Sequence, residues 1–220
     1  KMRYVKFYRR FNRFTMKCFF DEALRFWGYS ASICIIDNTS LAIDYGSGSN
    51  AHFSKEMVAF AQHYNFQWFA HAINHPNRKA GKERNFHTME TNFLPGRTFT
   101  SLENINEQAL KWATERYARR PQAKTKLIPI ELFEIEKAYL QKLPQWICTP
   151  YREHQRIIDA YGYIAFAGNY YMLPQTQGKK ITVLEYAQHI ELYEKNSLLL
   201  QYPLPPDKTH NEIFIDKSIK

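Results

Sequence analysis

Two carboxylates in this 220-residue chain stand where they could do chemistry together. Asp37 ends the apolar run Ser32-Ile-Cys-Ile-Ile36. A short β-branched run of this kind reads as a strand buried on both faces, as in a parallel sheet, and the C-terminal edge of an open α/β sheet is where sites collect. Asn38 follows and can orient the carboxylate or a bound water. Glu83 lies 46 positions after Asp37, in the first turns of an expected helix. On that helix Phe86, Met89 and Phe93 form the apolar stripe, and Lys79, Glu83, His87 and Glu90 share the neighbouring polar face. Carboxylates from a strand end and an adjacent helix suit hard divalent cations, which prefer oxygen ligands. Two such ions ~3.5–4 Å apart would activate a hydroxyl nucleophile and stabilise the leaving oxygen of a phosphodiester. The plainer reading is an Asp that caps a loop and a surface Glu on a basic helix.

The elements that would hold these groups alternate between strand and helix. Arg3 to Tyr8 alternates as a strand does. Thr15 can cap a helix with Met16, Phe19, Phe20, Ala23, Leu24 and Trp27 at helical spacing and Gly28 as its stop. Asp44 to Asn50 is a turn-rich loop. A helix capped at Ser54 follows, with Met57, Phe60, Ala61 and Tyr64 inward. Phe66 to Ala72 reads as a strand, and a helix runs to about Thr91. Thr100-Ser-Leu-Glu103 reads as a capping box for a helix carrying Leu102, Ile105, Ala109, Trp112 and Tyr117 on one side. Residues 119–150 read as a basic linker with a short acidic helix, Pro129 to Leu140, that opens on proline. Beyond Pro150 come short β runs at Arg156 to Phe166, Tyr170 to Leu173, Ile181 to Tyr186, His189 to Glu194 and Leu198 to Tyr202. Such spacing favours a small barrel. The expectation is an α/β core over 1–118, the linker over 119–150, a β-barrel over 151–203 and a tail over 204–220.

Charge sharpens the partner class. Lys and Arg number 30 against 21 Asp and Glu, a net charge of +9. Residues 1–126 hold 20 of those bases and 10 acids, while 151–220 hold 8 of each. A folded region with clustered bases is the footprint of a polyanion binder, usually nucleic acid. With 45% hydrophobic residues the chain can bury a core, which excludes wholesale disorder. No apolar run approaches the ~20 residues of a spanning helix, and the N-terminus lacks a secretory h-region. Three cysteines without metal-ligand spacing suit reduced thiols in the cytosol. His71 and His75 read as loop or strand-end residues, not zinc ligands. There is no P-loop, so any ATP dependence belongs to a partner.

Taken in order, Ile35-Ile-Asp-Asn38, Gly81-Lys-Glu-Arg84 and Asn92-Phe-Leu-Pro-Gly-Arg-Thr-Phe-Thr-Ser-Leu-Glu103 closely resemble the IstA-type transposases of bacterial insertion sequences, DDE recombinases with an RNase H-like core. The likeness extends to Pro129-Ile-Glu-Leu-Phe133 and to Tyr161-Gly-Tyr with Gly168-Asn-Tyr-Tyr-Met-Leu-Pro174, which looks like the start of the small barrel that follows the core in Mu-type transposases. The resemblance implies that Asp37 is the second catalytic Asp and Glu83 the catalytic Glu, both ligands of Mg²⁺ or Mn²⁺, with Asn38 behind them. It implies that Lys79, Lys82, Arg84 and Arg97 contact DNA phosphates near the site, and that Arg119, Arg120, Lys124 and Lys126 do so along the linker. It also implies a homo-oligomer on DNA, an AAA+ ATPase helper and a cytoplasmic, nucleoid-associated location in a bacterium.

Two departures qualify the pattern. The family uses three carboxylates, and the acids preceding Asp37 here are Asp21 and Glu22, inside the expected first helix. The first Asp is therefore missing, and the sequence reads as a fragment that lacks the leading strands, or as an inactive gene product. In Gly81-Lys-Glu83 the family often has one more residue, which leaves Glu90 as an alternative, although the distance to Asn92 favours Glu83. Two rivals follow: a DNA-binding remnant or regulator of the same fold without activity, and an unrelated basic α/β protein whose carboxylates are structural.

Overall fold

The structure, a computed structural model, describes residues 2–72, 86–174, 177–206 and 208–217. The chain divides into two units, Lys1–Ile147 and Cys148–Lys220.

The first unit is built around α1 (Arg13–Trp27). Asn12 caps it and Thr15, expected as the cap, is instead the third helical residue, closing a reciprocal capping box with Asn12. Gly28 ends the helix at φ +73, a conformation that costs glycine nothing. β1 (Tyr29–Ser30) and β2 (Ile33–Ile36) follow, then the hairpin of β3 (Ile43–Tyr45) and β4 (His52–Phe53), α2 (Lys55–His63) and β5 (Gln67–Ala70). β2 and β5 pair in parallel, with Ile33 opposite Gln67 and Ile36 opposite Ala70. Ser54 caps α2, and Met57, Phe60, Ala61 and Tyr64 all turn inward. They meet Met16, Ile36, Ile43, Phe66 and Trp68 in one aromatic-rich core. Parallel pairing agrees with the apolar run, but burial on both faces does not. Ile33 and Ile35 are each 55% exposed, because the core covers only the face that carries Ile36.

Under this core lies a polar anchor. The buried Asp21 carboxylate accepts the Tyr64 hydroxyl proton and the Arg25 Nε–H at 2.7 Å. Burial and then the Asp21 contact push the Tyr64 hydroxyl well above its usual range. A buried carboxylate is tolerated only with such partners.

A second core joins α3 (Leu102–Lys111), its π-helical continuation Trp112–Tyr117 and the helical residues 86–92. Phe93, Ala109, Trp112 and Ala113 are buried there. Ser101, not Thr100, caps α3 by accepting the Asn104 N–H. Residues 3–8, expected as a strand, enter no ladder. Their alternation is used by side chains instead: Val5 and Phe7 face this second core, while Tyr4 meets Phe19 and Phe26 and Lys6 pairs with Glu22 on α1. The Asn106 amide takes the part of a neighbouring strand, accepting from the Phe7 N–H at 2.6 Å and donating to its carbonyl at 3.1 Å.

The expected linker is largely packed into the first unit. α4 (Pro129–Glu136) opens on proline as the sequence suggests, and Phe133 meets Trp27 and Tyr29 edge-on. β6 (Gln141–Lys142) pairs with β1, and Leu143 and Ile147 join the first core. These contacts tie the segment to the first unit, so the boundary falls after Ile147.

The second unit has β7 (Arg152–Ile157), β8 (Tyr163–Phe166), β9 (Asn169–Met172), β10 (Lys180–Glu185), β11 (His189–Glu194), β12 (Ser197–Pro203) and β13 (Ile213–Phe214). The run expected over 156–166 is broken by a turn into β7 and β8. Asp159 holds that turn by accepting the Tyr161 and Tyr163 N–H groups. The described strands form a four-stranded antiparallel sheet, β12-β11-β10-β7, and a three-stranded one, β13-β9-β8, around one core of Ile158, Ile164, Tyr171, Leu173, Ile181, Ile190, Leu192 and Tyr202. The expected tail is part of this unit: β13 pairs in parallel with β9, and Phe214 stacks on Tyr171 at 5.0 Å.

Two outcomes follow. Tyr64→Phe leaves Asp21 with Arg25 but without its hydroxyl donor, so the urea midpoint falls by the equivalent of about 1–3 kcal/mol with the m-value unchanged. Burial, with Glu22 and Asp21 nearby, pushes the Cys18 thiol from its ordinary 9.0 up to about 12. Its contribution to stability is therefore intact below pH 9.0 and is lost as pH rises toward 12. At pH 8, iodoacetamide should label exposed Cys148 at least about tenfold faster than Cys18, as peptide mapping would read.

Candidate functional site

The parallel pair sets the site. Because Ile36 lies opposite Ala70, Asp37 and His71 leave the sheet side by side at its C-terminal edge, and the His71 N–H donates to the Ile36 carbonyl at 3.0 Å. Asp37 is exposed there.

Asn38 does more than follow Asp37. Its Nδ2 donates to the His71 carbonyl at 2.8 Å, and its Oδ1 accepts the Gly48 N–H at 2.8 Å. One side chain thus ties the end of β5 to the glycine loop on the other side of Asp37. The loop makes a defined turn. Residues Gly48–Asn50 make a 3₁₀ turn, and β3 and β4 clamp it with Tyr45 stacked on His52 at 4.1 Å. Gly46 is required at φ +76, where an added Cβ would lie 2.0 Å from the Asn50 carbonyl oxygen. Arg13 secures the approach to this hairpin by donating to the Leu41 carbonyl and pairing with Asp44.

Glu83, Lys79, Lys82 and Arg84 lie outside the described residues. Among the described residues no group of three His, Cys, Asp or Glu side chains could hold a metal ion. Asp37 fits as one hard oxygen ligand by its exposure at the strand edge. Asp21 is committed to Tyr64 and Arg25, and Glu22 to Lys6, so neither acid preceding Asp37 is placed to serve as a further ligand. His71, read from sequence only as a strand-end residue, shares the edge with Asp37; the register of two parallel strands carried that signal.

The basic residues fall into two groups. Arg97 is half-buried: it donates to Gln108 at 3.1 Å and its guanidinium lies 5.0 Å from the Phe93 ring centre. It holds the second core together. Arg119, Arg120, Lys124 and Lys126 are all exposed. Their loop is closed by Gln122 N–H to the Leu127 carbonyl at 2.9 Å and Lys126 N–H to the Gln122 carbonyl at 2.7 Å, with Lys126 at φ +61. Arg116, which sequence reasoning passed over, stands beside them on the π-helical turn. Residues 116–126 carry five cations and no acid, and none of the five forms an ion pair with another described residue. Elsewhere in this unit Lys6, Arg13, Lys17, Arg25 and Lys137 are each paired with a carboxylate. With five cations, no acid and no ion pair among the described residues, the stretch 116–126 is electropositive. No helix among the described residues is long and apolar enough to cross a membrane.

No protein-family model matches the chain. Over 193 residues it is 24% identical to a protein of Bacteroides fragilis described as a transposase for an IS21-like insertion sequence element, a likeness that covers 84% of this chain and 37% of that protein. The chain thus spans little more than a third of the length of the curated relative it matches, and along that third it is similar to a DNA transposase.

Proposed function

We propose that this chain is the part of a DDE-type DNA transposase that carries the second and third catalytic carboxylates, within an RNase H-like core followed by a small β-barrel. The observation that carries this reading is the likeness to an IS21-like transposase along most of the chain. The position of Asp37 at the C-terminal edge of a parallel strand pair supports it. The reaction is cleavage at transposon ends and transfer of the resulting 3′-OH into target DNA.

In this reading Asp37 and Glu83 hold Mg²⁺ or Mn²⁺, which when bound supplies activation of the attacking hydroxyl and charge neutralisation at the phosphodiester. Asn38 positions Asp37: by holding the end of β5 and the glycine loop, it keeps the strand edge from fraying when DNA approaches. Arg119, Arg120, Lys124 and Lys126 bind backbone phosphates and set the register of the DNA without reading its sequence. Lys79, Lys82, Arg84 and Arg97 contribute phosphate contacts near the site. The acting form is a homo-oligomer on two DNA ends in the bacterial cytoplasm, with an AAA+ ATPase helper as partner.

A second reading has its own observation. Asp21 and Glu22 are both tied up in structural contacts, so these residues alone do not complete a three-carboxylate set. A DNA-binding regulator of the same fold without strand-transfer activity would look the same.

One experiment separates the two. With the product of the complete reading frame, Mg²⁺ and labelled transposon ends, Asp37→Asn and Glu83→Gln should each lower strand transfer by about two to three orders of magnitude, matching several kcal/mol of metal-mediated stabilisation. DNA affinity should stay within about twofold, since the carboxylates do not bind phosphate. Full activity in either variant sinks the site assignment, and no activity in the unsubstituted protein favours the regulator. Lys124→Ala and Lys126→Ala should each weaken binding across sequences and reduce the log–log salt slope by about one.

A further inference from the structure

Between the helical residues 86–92 and the π-helical turn lies a cleft of about 250 Å³. Its lining includes Thr88 and Asn92, one turn apart, the rings of Trp112 and Tyr117, and Arg116 and Arg120. Among the described residues no carboxylate lines it. The π turn, marked by the Ala118 N–H donating to the Ala113 carbonyl at 3.2 Å, carries Arg116 into the lining; π segments of this kind concentrate at functional sites.

The polar atoms of the two rings are used. Trp112 Nε1 donates to Asn92 at 3.2 Å. Tyr117 accepts from Arg3 at 2.7 Å and donates to Gln122 at 2.8 Å, while the Arg3 guanidinium covers its ring at 3.8 Å. The groups left to bind a ligand are the two guanidinium groups, exposed and without an ion pair among the described residues. Paired guanidinium groups in a recess without acids select an oxyanion with two accessible oxygens. The cleft is smaller than the roughly 300–1,000 Å³ of sites for whole small molecules, so it suits one repeating unit of a polymer.

We infer that this cleft seats a single backbone phosphodiester of DNA, gripped through its non-bridging oxygens by Arg116 and Arg120. The inference rests on DNA as the partner and adds to it a defined recess and Arg116, where a diffuse basic surface would need neither.

Two substitutions on one loop separate a seat from a surface. Ala123→Glu and Thr125→Glu change the charge equally, but only Ala123 lines the cleft. In anisotropy titrations of a short labelled duplex, Ala123→Glu should weaken binding about tenfold more than Thr125→Glu. Arg116→Ala, with circular dichroism confirming its fold, should reduce the salt slope by about one, and Arg116→Lys should restore the slope. Equal losses at 123 and 125, or an unchanged slope in Arg116→Ala, overturn the seat even if Lys124→Ala still weakens binding. Failure of the unsubstituted chain to bind DNA fails the underlying reading, and the seat with it.

Discussion

Four ladder positions between Ile33–Ile36 and Gln67–Ala70 fix where everything else in the first unit must go. Parallel strands cannot be joined by a tight turn, so the chain has to leave β2, cross over and return. The return is made by the β3–β4 hairpin and α2, and α2 brings Met57, Phe60 and Tyr64 onto the face that carries Ile36 and Trp68. Tyr64 then reaches Asp21 on α1. One register thus determines which face is dry, which helix covers it and which residues share the exposed edge. A slip of one residue would turn Trp68 out of the core and separate Asp37 from the loop that Asn38 holds.

Electrostatics divide the same unit by function. Cations near α1 are matched to carboxylates, whose partial burial gives those pairs a structural role. Loop 119–126 receives no such matching. Leaving its four like charges close together costs stability in the unliganded protein, through repulsion that counterions only partly screen. Release of those counterions is the driving force for binding a polyanion.

Much of this was legible in the sequence, and the exceptions share a cause. Periodicity located α1, α2, α3, β2 and β5, because amphipathic spacing is a local property. The same spacing misread residues 3–8: alternation says which side chains face apart, and says nothing of what lies beside the backbone, where Asn106 takes a strand's place. Helix caps moved by a few residues, from Thr15 to Asn12 and from Thr100 to Ser101, since several adjacent polar residues could each accept the first N–H groups. The stretch 119–150 reads as linker from its prolines and charge, yet its apolar half finds long-range partners in Trp27, Tyr29 and the first core. At the site, Asp37 and Asn38 were visible by type and position. The two hydrogen bonds that make Asn38 a clamp, and the π turn that brings in Arg116, depend on residues distant in sequence and left no local trace.

The parallel strand β13 bears on how the second unit is made. β9 is complete at Met172, but its outer neighbour, Ile213–Phe214, is synthesised some forty residues later. Tyr171 waits that long for the ring of Phe214 that covers it. During translation the three-stranded sheet therefore presents an open edge while β10 to β12 are already able to pair with one another. Non-local closure of this kind is slow and leaves strand edges exposed to neighbours. β13 is thus a non-local closure of this unit, made by residues added to the chain after those of β10 to β12.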